Sequence, residues 1–142
     1  MAARTIGEIM TSDVRACPQD ASAAEAARLM RDHGIGDVIV TGGDDDVPSG
    51  IVTDRDLAVR VMGGGRDPDT ITLQEIMTTE LVTVQRQTEV SDAVTIVHRS
   101  SVRRLPVVED GEVLGIVTIG DLARERDPDS ALADLSAESP NN

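Results

Sequence analysis

The chain has 142 residues, 26 acidic against 13 basic side chains, a net charge of −13, and no Phe, Tyr or Trp. Acidic surfaces repel duplex nucleic acid and anionic membranes, and without aromatic rings there are no stacking platforms for single strands, so no nucleic acid or membrane is expected as a partner. Cys17 is the only cysteine, which excludes an intramolecular disulfide and a thiolate metal cluster.

A chain of this length fits one domain, or two small repeats sharing a core, and buries roughly 68% of its unfolded surface without staples. All the basic residues are Arg, which carries no functional weight here. The opening MAARTIGEIM lacks the apolar stretch of a signal peptide, and no later segment is apolar enough to span a bilayer. A cytoplasmic protein is the expectation.

In chain order, Thr5-Ile6-Gly7-Glu8 has capping-box spacing and predicts a helical turn ending near Met10. Val14 to Cys17 is a short strand candidate. Ser22-Ala23-Ala24-Glu25 opens a helix with Ala23, Ala26, Ala27 and Met30 on one face, stopped by Gly34. A hairpin of Val38–Thr41 and Ser49–Thr53 follows, around the loose turn GGDDDVP, and then a short helix from about Asp54 to Met62. Gly63-Gly64-Gly65-Arg66-Asp67-Pro68 reads as a linker, taken as 63–71.

The same order then recurs. Thr72-Leu73-Gln74-Glu75 repeats the first capping box, and Leu81–Val84 repeats the strand candidate. A helix presents Val90, Ala93, Val94 and Val97, ending at Ser101. Leu105–Val108 and Glu112–Thr118 flank Asp110-Gly111, a tight-turn signal, and a helix runs from about Ile119 to Arg126. The acidic stretch 127–142 reads as a tail rather than a domain. Ile9-Met10-Thr11 matches Ile76-Met77-Thr78, and GIVTDRDL at Gly50–Leu57 matches GIVTIGDL at Gly115–Leu122. The chain is therefore an internal duplication, with repeats at 5–62 and 72–126, each strand, helix, strand, strand, helix. Half-domains of this size bury a sheet face poorly alone, so the pattern predicts an α+β pair with approximate two-fold symmetry.

The motifs IMT, VRRLPVVEDGEVLGIVTIGDL and GIVTDRDL resemble those of the CBS domain, and 5–126 as a whole resembles a stand-alone CBS pair, or Bateman module. Ile39 departs from the family's usual Pro, which Pro106 keeps. The resemblance implies a regulatory module with clefts between its repeats for AMP, ADP, ATP or S-adenosylmethionine, with the helix-start Asp on the ribose. Carried over, one cleft would use Thr118 and Asp121, with the base near Thr11, Ala16, Ile35 and Gly36. The other would use Thr53 and Asp56, with the base near Thr78, Thr83, Val102 and Arg103. The resemblance also implies a homodimer through the helices, for which Ala and Val on the helices ending near Arg31 and Arg99 are candidates, and a separate effector protein.

A carboxylate suits a vicinal diol and a helix N-terminus suits a phosphate, yet Thr-x-x-Asp is equally a helix cap with a favourable first-turn acid. The resemblance implies that the hairpin-entry residues face the phosphates of their own repeat's site; there Arg103 and Arg104, just after His98 and Arg99, suit phosphate oxygens, whereas the first repeat offers Gly36 and Asp37, with Asp54 beside the helix start. The Asp121 cleft is thus expected to take a phosphorylated ligand better than the Asp56 cleft, which is expected either to stand empty or to take an uncharged adenosine moiety. Asp44-Asp45-Asp46 lacks calcium-loop spacing, His33 and His98 suit helix ends, and Cys17 suits a buried apolar place. No base–nucleophile pair can be named, so no enzyme is expected. The rival reading is a ligand-free dimeric scaffold with degenerate clefts.

Overall fold

The computed structural model describes residues 4–42 and 47–126. Asp44-Asp45-Asp46 and the acidic stretch 127–142 lie outside the described residues. The chain divides into two compact units that are not the two sequence repeats. A continuous unit comprises Arg15–Leu81, and a composite unit joins residues 4–14 to residues 82–126.

The continuous unit holds β1 (Ala16–Pro18), α2 (Ala23–His33), β2 (Asp37–Gly42), β3 (Val47–Thr53), α3 (Asp54–Asp56), a π-helix over Leu57–Met62 and α4 (Leu73–Ile76). The composite unit begins with α1 (Ile6–Ile9) and continues with α5 (Val90–Ser100), β4 (Arg104–Glu109), β5 (Glu112–Thr118) and α6 (Ile119–Arg126). β1 pairs parallel with β2, which pairs antiparallel with β3; β4 and β5 form an antiparallel hairpin.

Local chemistry accounts for most boundaries. Glu25 N–H donates to Ser22 Oγ at 3.2 Å, capping α2, and Gly34 ends it at φ 64°. Ser101 ends α5 in the same left-handed region at φ 58°, at a strain Gly would avoid. Asp110 and Gly111 both have positive φ, the backbone of a two-residue hairpin turn. Ala23, Ala26 and Met30 are buried along α2, but Ala27, expected on that face, is exposed.

Three expected elements differ. The first strand begins at Ala16, not Val14, and Leu81–Val84 is no strand but a single parallel bridge from Val84 to Val107. The reason lies in one residue of the neighbouring strand. In the continuous unit Ile39 N–H donates to Arg15 O at 2.9 Å. Pro106 stands at the equivalent place and has no N–H, so the ladder shortens to the bonds made by Val84 and Val108. Further on, Asp54–Met62 was expected as one ordinary helix, but after Asp56 it widens to the π form, with Gly63 N–H donating to Ala58 O at 2.8 Å.

Each unit has its own core. Val38, Val40 and Val52 pack with Ala26, Met30, Leu73 and Ile76 in the continuous unit. Leu105, Val107 and Val117 pack with Ile6, Ala93 and Leu122 in the composite one. Ile6 and Leu73, at matching places in the repeats, are each fully buried in a core built by the other repeat's hairpin. Backbone bonds fix these crossovers: Ile6 N–H to Thr88 O at 2.8 Å and Thr11 with Ile116 in one unit, Leu73 N–H to Ala21 O at 2.9 Å and Thr78 with Ile51 in the other.

The crossing strands need glycine beneath them. A methyl group on Gly115 would lie 2.7 Å from Thr11 O and 2.8 Å from Met10 Sδ; on Gly50 it would lie 2.9 Å from Thr78 O. Gly115→Ala is therefore expected to cost about 1–3 kcal/mol, the usual range for overpacking, in urea unfolding followed by circular dichroism. A variant within 0.3 kcal/mol, as an order-of-magnitude threshold, would show that the lead-in strand can lift away freely.

Candidate functional site

Both Thr-x-x-Asp stretches lie where a strand ends and a helix begins, and both close as reciprocal caps. Thr53 N–H donates to Asp56 Oδ2 at 2.9 Å and Asp56 N–H donates to Thr53 Oγ1 at 3.2 Å. Thr118 N–H donates to Asp121 Oδ2 at 2.9 Å and Asp121 N–H donates to Thr118 Oγ1 at 3.1 Å. The cap accounts for Oδ2 of each half-buried carboxylate. A carboxylate carries about four acceptor positions in all, so a cap and a diol are compatible uses of one side chain.

The hairpin start is stitched to each helix start. Asp54 N–H donates to Gly36 O at 3.0 Å, and Ile119 N–H donates to Arg103 O at 2.9 Å. Asp37 pairs across the hairpin with Thr53, and Arg104 pairs with Thr118. The two junctions thus share a backbone and differ in charge at the residue opposite the threonine. They also differ at the next donor: Asp54 Oδ1 accepts the Arg55 N–H at 2.8 Å, whereas Ile119 has no carboxylate to offer Gly120. An anion at the Asp56 junction would compete with that carboxylate.

The expected site residues divide between the units. Thr11, Arg103, Arg104, Thr118 and Asp121 belong to the composite unit, while Ala16, Ile35 and Gly36 belong to the continuous one. Of the other set, Thr53, Asp56 and Thr78 are in the continuous unit, and Thr83, Val102 and Arg103 in the composite one. Within its unit, Thr11 is bridged to Ile116, two residues before Thr118, and Thr78 is bridged to Ile51, two before Thr53. Thr11, Ala16, Thr78, Thr83 and Arg103 are exposed; Ile35, Val102 and Arg104 are half-buried, and Gly36 is buried.

The motifs did not point to the residues four places beyond each aspartate. Arg60 Nε lies 3.7 Å from Asp56 Oδ1, and its Nη1 donates to Ile76 O at 3.0 Å. The matching residue, Glu125, lies 3.3 Å from Arg4 Nε. Ile9, Asp121, Arg124 and Glu125 line a hollow of about 300 Å³. The i, i+4 spacing on a helix was the signal that could have found them.

Elsewhere, Cys17 is 8% exposed, and burial, followed by the nearby Glu25 charge, pushes its thiol up, away from the thiolate that nucleophilic chemistry needs. Among the described residues, the large apolar side chains most open to solvent are not on the helices ending near Arg31 and Arg99: they are Met62, 82% exposed, and Val59 on the π-helix, with Ile119 on α6. Val94 and Val97 of α5 are half-buried. Among the described residues no helix is long and apolar enough to cross a membrane.

The model of the CBS domain matches residues 6–63 and 73–127. A protein of Methanopyrus kandleri, MK0525, is 39% identical over 119 residues, spanning 83% of this chain and 60% of that protein. The chain thus covers less than two thirds of that relative. The CBS domain-containing protein YhcV of Bacillus subtilis is 36% identical over 119 residues, 84% of this chain and 83% of that protein. Among solved structures, the CBS domain pair of protein MJ0100, in complex with 5′-methylthioadenosine and S-adenosyl-L-methionine, aligns with a TM-score of 0.77 at 23% identity, over 91% of this chain and all of that pair. Two matched repeats in one small chain, each built on a hairpin and a capped helix start, place this protein in the CBS-domain family as a tandem α+β pair, a module of the regulatory kind.

Proposed function

We propose that this pair binds an adenosine-containing nucleotide, and that occupancy is read by a partner protein or by a second copy of the chain. The observation that carries the proposal is the Thr118–Asp121 junction, a capped carboxylate beside a hollow of about 300 Å³. Asp121 would accept the ribose hydroxyls, with Arg103 and Arg104 toward the phosphates and Thr11, Ala16, Ile35 and Gly36 toward the base. Thr53 and Asp56, with Thr78, Thr83, Val102 and Arg103, would form the weaker site, disfavoured for phosphate by Asp37 and Asp54. The ligands of MJ0100 support the class, since a protein alike in fold accepts adenosine compounds. AMP, ADP, ATP and S-adenosylmethionine are the candidates, and a ligand signals only by binding one arrangement of the pair better than another. Pairing of two copies through helices, a cytoplasmic setting and a non-catalytic role complete the proposal.

A ligand-free dimeric scaffold is the second reading, and Arg60 favours it for the Asp56 junction because the protein's own guanidinium stands there. Thermal melting by circular dichroism with each candidate separates the two. Ligand at about 100 times its dissociation constant should add roughly 2.7 kcal/mol. No shift with any of the four at millimolar concentration would leave the scaffold.

A further inference from the structure

Resting on the adenosine reading above, we infer that the residue four places beyond each aspartate, Arg60 in one unit and Glu125 in the other, sets whether the space beside that aspartate is open to a ligand. Matching the repeats pairs Asp56 with Asp121, Val59 with Arg124, Arg60 with Glu125 and Ile76 with Ile9. In the composite unit these positions line a hollow of about 300 Å³. In the continuous unit Arg60 runs across the equivalent positions, its guanidinium 3.7 Å from Asp56 Oδ1 and bonded at 3.0 Å to the carbonyl of Ile76.

The chemistry explains why Arg60 crosses its junction and Glu125 does not cross the other. A guanidinium offers several donors in a fork, so it can meet a carboxylate and a carbonyl at once. The Ile76 carbonyl lies at the C-terminal end of α4, whose turn is closed by Met77 N–H donating to Leu73 O, and such an end favours a cation. Glu125 has no donor for the equivalent carbonyl and is repelled by Asp121; it lies instead by Arg4, which also meets Glu8 at 2.7 Å. The hollow sits at the lower limit of small-molecule sites, roughly 300–1,000 Å³, enough for a sugar-sized group. The open junction accordingly suits a nucleoside whose vicinal diol reaches the second oxygen of Asp121, while at Asp56 a guanidinium stands 3.7 Å from that oxygen, as an ion pair in the way of a diol. Arg60 and Glu125 act as positioning residues that divide the two sites by occupancy.

The test uses the full chain with methyl- and amide-resolved NMR and two variants, Arg60→Ala and Glu125→Arg, with Arg60→Gln as the alternative if Arg60→Ala fails to fold. Without ligand, a gadolinium chelate should attenuate the Ile76 methyl more strongly in Arg60→Ala than in the parent, and the Ile9 methyl less strongly in Glu125→Arg. With adenosine or AMP as probe, the parent should respond over Thr118–Leu122 and not over Thr53–Leu57. Glu125→Arg should weaken the first response at least about tenfold, and Arg60→Ala should create the second. Unchanged Ile76 protection in both Arg60 variants overturns the inference, as does equal adenosine response at both junctions of the parent. Methyl changes as expected with no adenosine response anywhere would uphold the closing role of Arg60 and overturn the adenosine reading instead.

Discussion

Ile6→Ala is expected to destabilise the composite unit by about 2–5 kcal/mol, the range for truncating a buried isoleucine, although Ile6 lies in a short turn far in sequence from that unit's hairpin. Its side chain is fully buried with Leu105, Val107, Val117 and Leu122, and Ala would leave a cavity among them. The backbone around it is tied to the same unit: Gly7 N–H donates to Arg86 O at 2.8 Å, and Val90 N–H donates to Arg4 O at 3.0 Å. Amide hydrogen exchange followed along the chain should therefore show lost protection first in β4 and β5. Met62→Ala, at an 82% exposed side chain, serves as the control and should stay within about 0.5 kcal/mol. If Ile6→Ala instead opened β2 and β3 while β4 and β5 kept their protection, the crossover of lead-in segments would be wrong.

Asp121→Asn should separate the two uses of the helix-start carboxylate. An amide oxygen can still accept the Thr118 N–H, which the carboxylate now takes at 2.9 Å, so melting without ligand should move by less than about 1 kcal/mol. The second oxygen is gone, however, and a nucleotide that used it should bind at least about tenfold more weakly, which is 1.4 kcal/mol of the ligand-dependent stabilisation. Asp121→Ala also removes the acceptor of the Thr118 N–H, while the backbone bond to Thr118 Oγ1 stays, and should cost about 0.5–1.5 kcal/mol before any ligand is added. Asp56→Asn should leave the nucleotide shift nearly intact, because Asp54 and Arg60 already occupy that junction. Equal losses from the two Asn variants would refute the ranking of the junctions, and no loss from Asp121→Asn would reduce its carboxylate to a cap.

Much of this was legible in the residues. Ser22 and Gly34 bracket α2, and Asp110-Gly111 turns the second hairpin, because caps and tight turns are decided by the few atoms next to them. The repeated Thr-x-x-Asp was legible for the same reason, and both copies close as the reciprocal caps their spacing allows. Less legible were the missing strand opposite Pro106, a question of which neighbour loses its donor, and the π-helix after Asp56, where an amphipathic pattern cannot count residues per turn.

The sequence by itself determined the duplication, the order of most elements in each repeat and the family, since periodicity, capping and repeated motifs are properties of neighbouring residues. Only the tertiary structure decided which segments fold together. Ile6 and Leu73 read alike as apolar residues after a capping threonine, and nothing local says whose core each will enter. It also decided the fate of Arg60, which reads as a solvated helix charge until Asp56 and the carbonyl of Ile76 are brought within its reach. Contacts between residues distant in the chain are chosen by packing, and packing exists only once the chain has folded.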